Sequence, residues 1–284
     1  MLAKLARPAC LLIACCLFGL GCQTVRVPAV VAPVDAPREL AKVTLPPYVV
    51  EPPDVLIINV VRWPLAKDAN GKATGAVLTS EDPIRLTPQP IEGTHLIRPD
   101  GTINLGVYGS VQVAGLTLDQ IRENITGFLA QWFEDSPKAF LVIVDVAAYN
   151  SKTFYIITDG AGYGEQVYRF PIVGSETVLD AISQINGLPA VASKRHVWVA
   201  RRSPAAGPES NPDCVMPVNW CAITQYGDTR TNYQMMPGDR LYVKAQPLIT
   251  TSNWIQKALA PVQELLGVTL LGSETVNSLR GRTP

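Results

Sequence analysis

Two kinds of residue in this sequence could do chemistry: the glycines of one loop and two isolated histidines. Residues 159–164 read DGAGYG, a glycine content typical of loops that hold the phosphates of a nucleotide. Such a loop must lead directly into a helix, because the helix N-terminus supplies the amides that bind phosphate. Here residues 166–171 have the pattern of a strand and contain a proline, so we predict a hairpin turn instead.

The histidines do not suggest a catalytic arrangement. Serine–histidine–acid catalysis requires a histidine held between a nucleophile and an acid, but His95 stands at the start of a strand and His196 beside two basic residues. The carboxylates are scattered and suggest no acid–base pair, and neither histidine has cysteines at zinc-ligand spacing. We therefore predict a protein that is not an enzyme, with no catalytic residue, no metal and no cofactor.

Composition narrows the class of protein further. The 284 residues carry a formal net charge of zero, whereas a nucleic-acid-binding protein needs a basic surface to displace counterions from phosphates. Only 17% of the residues are charged and the mean hydropathy is positive, which favours a membrane-associated or secreted protein. We expect no nucleic-acid partner.

Residues 1–22 have the organisation of a secretory signal. Lys4 and Arg7 form a short basic region, and residues 9–20 form an apolar run that is short for a membrane span. The run ends in Gly-Cys, which resembles the lipobox of bacterial lipoproteins, where the cysteine is acylated. Cys22 is therefore the predicted lipidation site.

Two alternatives to lipidation at Cys22 stay open. Cys15 is the runner-up, since the Leu-Ile-Ala before it fits a lipobox better but leaves a very short apolar region. A plain secreted protein is the other alternative. The residue after Cys22 is Gln23 and not Asp, which resembles lipoproteins that are sent to the outer membrane.

The remaining cysteines, Cys214 and Cys221, form an even pair in an oxidising compartment. We predict that they form a disulfide. The alternative is two free thiols, because cysteines close in sequence need not meet the Cα distance that a disulfide requires.

The rest of the chain divides by its hydrophobic periodicity. Residues 23–47 are rich in proline without a sustained period and predict an extended tether. Residues 48–150 contain a buried strand at 55–61, a proline- and glycine-rich excursion at 64–90 and short strands at 96–113. A helix follows from Thr117, where Thr117 and Gln120 fit a capping box, and then a strand at 138–147. This order predicts an α+β domain.

Residues 151–246 have the pattern of a second, smaller unit. We predict strands at 153–157, 166–170 and 197–200, a turn and a final strand within 236–243, and a short helix within 175–187. An insertion at about 203–219 contains Cys214. A small sheet around one helix is the simplest architecture for this order, so the fold class of the whole chain is α+β.

Five motifs in this order resemble the bacterial outer-membrane polysaccharide export family, of the Wza type. YVVEPPDVLII from Tyr48 is similar to the family's first strand, and DGTINL from Asp100, followed by VAGLT from Val113, is similar to its most recognisable stretch. TVLDAI from Thr177 and PGDRLYV from Pro237 are similar to its soluble-ligand-binding β-grasp (SLBB) module. The resemblance covers about residues 48–245, with Pro53 replacing the usual glycine and one β-grasp module where two are common.

The resemblance implies a lipid-anchored subunit of a homo-oligomeric ring in the outer membrane, with its domains in the periplasm. Such a ring provides a hydrophilic passage for capsular polysaccharide or exopolysaccharide and works with an inner-membrane polysaccharide co-polymerase. The alternative is a periplasmic glycan-binding or scaffold lipoprotein that uses the same domains without a pore.

Residues 247–284 contain a segment, 252–271, that is long enough to span a bilayer as a helix. On a helical wheel the apolar and polar residues separate. The candidate membrane-facing residues are Trp254, Ile255, Ala258, Leu259, Val262, Leu265, Leu266 and Leu270. The candidate lumen-facing residues are Gln256, Lys257, Gln263 and Glu264.

A ring of such helices could turn its apolar arc to lipid and its polar arc to a lumen. Three alternatives stay open for this segment: a helix lying in the membrane interface, a helix packed on its own domain, and a helix broken at Pro261.

Overall fold

The chain builds two separate hydrophobic cores, each covered by its own sheet. The computed structural model describes residues 36–67, 73–77, 82–202 and 214–281, with the side chains of 265–280 left aside. One core is formed by buried side chains between Val50 and Val142, the other mainly by side chains between Phe154 and Val243. Helices and sheets occupy separate parts of each unit, which confirms the predicted α+β class.

The first core lies under a four-stranded antiparallel sheet centred on β1. Leu56, Ile58 and Val60 point from β1 into the core, because alternate side chains of a strand face opposite sides. Strand β8 pairs along the whole of β1, and β4 and β5 pair with its two ends. The strands of this unit are β1 (Val55–Arg62), β2 (Leu65–Lys67), β3 (Ala73–Val77), β4 (Ile84–Arg85), β5 (Thr94–Leu96), β6 (Thr102–Asn104), β7 (Ser110–Gln112) and β8 (Phe140–Ala148).

Two small ladders complete the first unit. β2 pairs with β3 inside the predicted excursion 64–90, so that stretch contains more regular structure than its composition suggested. β6 pairs with β7, as the alternating pattern of residues 96–113 predicted.

Helix α1 (Leu118–Phe133) packs on β8 and closes the first core. The predicted capping box is present: the Gln120 amide donates to the Thr117 hydroxyl, and the Gln120 side chain accepts from the Thr117 amide. Ile121, Ile125 and Leu129 are fully buried, as their helical spacing predicted.

The aromatic end of α1 is partly in the core and partly exposed. Phe133 lies against the rings of Tyr108 and Phe140, with centroid separations of 5.7 and 5.5 Å. Trp132 contacts Tyr108 edge-to-face but is 46% exposed. Phe133 therefore belongs to the core, and only Trp132 presents a ring to the surface.

The second core lies under a five-stranded mixed sheet in the order β10-β9-β13-β11-β12. Its central strands β9 and β13 are parallel, and the other neighbours are antiparallel. The elements are β9 (Thr153–Asp159), β10 (Glu165–Pro171), α2 (Val178–Gln184), β11 (Ala192–Arg201), β12 (Cys214–Val218), α3 (Trp220–Tyr226) and β13 (Arg240–Ala245).

The sequence did not predict two of these elements, β12 and α3. The predicted insertion at 203–219 contributes β12, which pairs with β11 at the sheet edge, and α3 follows it directly. Periodicity did not reveal β12, because its five residues do not alternate regularly between buried and exposed positions and Pro217 lies among them. Pro217 is tolerated there because β12 is an edge strand.

Residues 36–47, here called the strap, lie against the second core before the chain enters the first. Gln234, which is fully buried, accepts a hydrogen bond from the Val43 amide and donates to the Val43 carbonyl at 2.9 Å. The Asn232 side chain donates to Glu39, and Ala36 is part of the second core. The predicted tether 23–47 thus differs at its end from a free linker; residues 23–35 lie outside the described residues.

Helix α4 (Pro247–Arg280) follows β13 and is longer than the predicted 252–271. It continues through Pro261 without a break, so the alternative of a helix ending at that proline is wrong. Among the helices in the described part of the chain, none is both long and apolar enough to cross a membrane.

We expect Ile125→Ala to lower the free energy of unfolding of the first core by about 3 kcal/mol, because it leaves a cavity under β8. Denaturant unfolding followed by circular dichroism measures the loss. Glu123→Ala, at an exposed position of the same helix, is the matched control and should change stability by less than about 0.5 kcal/mol. Equal effects of the two substitutions would contradict the packing described for α1.

Candidate functional site

The two units meet at a buried carboxylate, that of Asp54. It accepts five hydrogen bonds, from the Tyr48 hydroxyl, the amides of Glu51, Asn150 and Ser151, and the Ser151 hydroxyl, at 2.7–3.1 Å. Tyr48 lies before β1 and Ser151 lies between β8 and β9, so one side chain fixes the entry and the exit of the first unit. Asp54 is fully buried.

These hydrogen bonds keep Asp54 ionised. Burial, the largest single influence, would raise the pKa of the Asp54 carboxyl, but the donors from Tyr48, Glu51, Asn150 and Ser151 outweigh it and hold the pKa below its usual value near 3.8. Burial, together with the charge of Asp54, raises the pKa of the Tyr48 phenol. Tyr48 therefore stays a hydrogen-bond donor, and neither group is available for acid–base catalysis.

A cleft of about 830 Å³ opens beside this junction, between the strap and the second unit. The rings of Tyr48 and Tyr149 meet edge-to-face in its wall, 5.0 Å apart. Lys42 donates to the Ser175 carbonyl and Lys152 pairs with Glu51 at the rim. The remaining lining is mainly apolar and comes from residues 43–47, Ile172, Val173, Met236 and Pro237.

The lining of the cleft is mainly apolar surface. Among the described residues that line it there is no carboxylate and no imidazole. Its lysines are already held by protein partners. It suits an apolar group or the flat face of a sugar.

The glycine-rich stretch 159–164 is a turn between β9 and β10, which confirms the hairpin prediction. The Gly160 amide donates to the Gly164 carbonyl at 2.9 Å. Ala161, Gly162 and Gly164 all have positive φ, a conformation that favours glycine.

This turn also receives the start of α4, a role that the sequence did not indicate. Asn253 donates to the Ala161 carbonyl at 3.0 Å. Lys257 donates to the Gly162 carbonyl, and its ammonium group lies 4.2 Å from the centre of the Tyr163 ring. Lys257, a candidate lumen-facing residue, is therefore engaged within its own subunit, and α4 is fixed at its first turns.

Beyond that contact, the described part of α4 extends into solvent. The candidate membrane-facing side chains Trp254, Ile255, Leu259 and Val262 are each 44–53% exposed. Ala258, Gln256, Gln263 and Glu264 are exposed as well. Leu265, Leu266 and Leu270 have side chains outside the described set, so the division of α4 into lipid and lumen faces stays a prediction.

The sequence predicted lipidation at Cys22, with Cys15 as runner-up, and a disulfide between Cys214 and Cys221. Cys22 and Cys15 lie outside the described residues, so lipidation stays a prediction. Cys214 and Cys221 are both free thiols in the structure, so the predicted disulfide is not present. Cys214 lies on an edge strand and packs against the second core, whereas Cys221 is in the first turn of α3. Burial raises the pKa of the Cys214 thiol, which favours its protonated form.

The two histidines lie in different sheets. The His95 ring contacts the Asn104 carbonyl from β5, and His196 contacts the Ser193 hydroxyl within β11. Within the described ranges, no group of three or more His, Cys, Asp or Glu side chains could hold a metal ion.

Residues 43–146 match the model of a family described as polysaccharide biosynthesis/export protein. This match assigns residues 43–146 to the polysaccharide export family. The matched range begins in the strap and covers the first core from β1 through most of β8. This family serves export and is not a family of enzymes, which agrees with an Asp54 carboxylate that holds structure together. We refer to residues 43–146 as the export domain.

We expect Asp54→Asn to lower the free energy of unfolding of the export domain at pH 7 by roughly 2–3 kcal/mol, because the new amide group would face backbone N–H donors and leave them unpaired. Thermal or urea unfolding measures the loss. Asp145→Asn is the control, since Asp145 is exposed on β8 and accepts only from the next amide of its own strand.

The same pair of proteins tests the pKa of Asp54. Because the folded pKa is lowered, the stabilisation by Asp54 is present above about pH 4 and is lost as the pH falls through the folded value. The stability difference between the wild type and Asp54→Asn should therefore shrink below pH 4. A difference that does not change with pH would contradict an ionised, hydrogen-bonded carboxylate.

Proposed function

We propose that this export-family chain is a lipid-anchored subunit of an oligomeric outer-membrane channel. The channel passes capsular polysaccharide or exopolysaccharide, and an inner-membrane co-polymerase delivers the polymer to it. Lipidation at Cys22 holds each subunit at the membrane while its domains stand in the periplasm. The match of the export domain to a polysaccharide export family supports the cargo, and the signal-like residues 1–22 support the location.

The observation that carries the channel is helix α4. It is fixed to the second unit only at its first turns, and its described apolar side chains have no partners within the subunit that bury them. A helix with half-exposed Trp254 and Leu259 gains stability when neighbouring copies or lipid cover it. Several copies of α4 side by side could then enclose a polar passage, which a single copy could not.

A second apolar surface supports assembly of subunits. Ile57, Leu141 and Ile143 are 36%, 43% and 52% exposed on the face of the first sheet that points away from its core. Leu141 and Ile143 lie on β8, which among the described strands pairs with β1 alone, so that its other edge has no described neighbour. Apolar patches of this kind on a sheet are typical of contacts between proteins.

The second candidate is a periplasmic glycan-binding or scaffold lipoprotein without a pore. It is favoured by the finding that none of the described helices is apolar enough to cross a membrane. The two candidates differ in what α4 does, so removal of α4 separates them.

In cells that depend on this protein, a chain ending at Gln246 should lose surface polysaccharide while the protein stays in the outer-membrane fraction. The reason is that the export domain and its anchor remain but the helices of the channel are gone. Surface polysaccharide is measured by staining or immunoblotting of intact cells. The control is a chain ending at Gly281, which keeps α4 entire; normal polysaccharide without α4 would favour the scaffold.

The apolar sheet face predicts a separate change in assembly. Ile143→Lys should convert the detergent-extracted ring to smaller species, because the substitution places a charge in a contact between subunits. Mass photometry or negative-stain imaging measures the size. Glu123→Lys on α1 should leave it unchanged, and an intact ring with Ile143→Lys would place the contact elsewhere.

A further inference from the structure

The outer face of the five-stranded sheet, the face away from the second core, has an arrangement that neither the core nor the cleft requires. Core-facing residues such as Ile156, Val199 and Leu241 are fully buried. Their neighbours in sequence point to the opposite side, because side chains alternate along a strand. We call this opposite surface the platform.

One row of platform residues crosses all five strands. The register places these residues directly opposite one another in the order Val167, Ile157, Tyr242, Trp198, Pro217. Trp198 and Tyr242 lie parallel, with ring centroids 5.5 Å apart and planes inclined by 12°. Four inter-strand spacings make this row roughly 19 Å long, the length of a short oligosaccharide.

The next row of the platform is basic. It reads Arg169, Tyr155, Arg240, Ala200 across four strands, so the Tyr155 ring stands between two arginines. Tyr155, Arg240 and Arg202 also line a depression of about 290 Å³ at this end of the sheet. Arg201 is in its wall too, but its guanidinium is held by Asp239.

Three arginines at this end of the platform are not paired with acidic side chains of the described residues. Within the described part of the chain, Arg169, Arg202 and Arg240 make no ion pair, although all three are exposed. A guanidinium can hold a carboxylate through two parallel hydrogen bonds. The arginines favour an anionic ligand, and the neighbouring aromatic rings favour a ligand with flat C–H faces. The platform therefore suits a ligand that has both.

We propose that the platform binds an acidic polysaccharide, with sugar rings lying on Trp198 and Tyr242 and their carboxylates paired with Arg169, Arg202 and Arg240. This inference rests on the proposed export function and narrows its cargo to uronic-acid-containing or similarly anionic chains. A second copy of the chain fits less well, because symmetric pairing of two platforms would place arginines against arginines.

The test uses the full-length, detergent-extracted protein and two matched probes: an oligogalacturonate and a neutral maltooligosaccharide of equal length. We expect the anionic probe to bind and to change tryptophan fluorescence, and the neutral probe to bind at least about tenfold more weakly, which corresponds to the loss of one charged contact. Titration calorimetry gives both affinities. Equal binding of the two probes, or binding of neither, would overturn the proposal.

Two variants locate the site, and one serves as a control. Arg240→Gln should weaken oligogalacturonate binding about tenfold, and Trp198→Leu should abolish the fluorescence change and most of the affinity. Arg195→Gln, an exposed arginine outside the platform rows, should bind as the wild type does. Thermal unfolding of each variant shows that it is folded, and size measurement shows its oligomeric state. Unchanged sugar binding together with a smaller assembly in Trp198→Leu would assign the platform to a second copy and overturn the proposal.

The sugar-binding proposal and the export function can each fail without the other. Loss of surface polysaccharide on deletion of the whole chain, without sugar binding by the purified protein, would leave the export function standing and remove the platform. Specific binding of oligogalacturonate, with surface polysaccharide unaffected by the deletion, would keep the platform as a sugar-binding site and contradict the export function.

Discussion

The structure depends on one buried carboxylate. Asp54 receives donors from the segment that enters the first unit and from the segment that leaves it. An ionised group away from water is tolerated only when its lone pairs are filled, so this carboxylate requires both segments to be in place at once. It thereby fixes where the export domain ends and how the next unit begins, which a hydrophobic contact, being non-directional, would not do.

A second buried carboxylate has the same role in the other unit. Asp239 binds Arg201 through both oxygens and accepts from the Met236 amide, which secures the turn before β13. Gln234, also buried, holds the strap against this unit. The strap and the Asp54 junction together connect the two cores at two places, and the cleft lined by Tyr48 and Tyr149 lies between those places. These buried polar groups thus position the strap and the connecting segments against the two cores.

The features that we connect with function are surfaces of the subunit. They are the apolar face of β1 and β8, the exposed start of α4, and the platform, where Trp198 stacks on Tyr242. They fit the oligomeric channel that we propose, because the subunits of such a channel would assemble around a polymer and let it slide. Such a task favours several shallow contacts over one deep pocket, because a cargo that must move on should not be bound tightly at any single point.

Periodicity and capping patterns in the sequence were sufficient to predict the α+β class, most strands, and helix α1 with its capping box at Thr117, since each of these depends on residues close in the chain. The export family was predicted from the resemblance of five short motifs. Tertiary structure decided the rest. Strand β12 exists because β11 offers it an edge, and that strand places Cys214, a free thiol, against the second core. The rows that join Trp198 to Tyr242 and Tyr155 to Arg240 depend on strand register, which pairs residues more than forty positions apart; no local pattern contains that information.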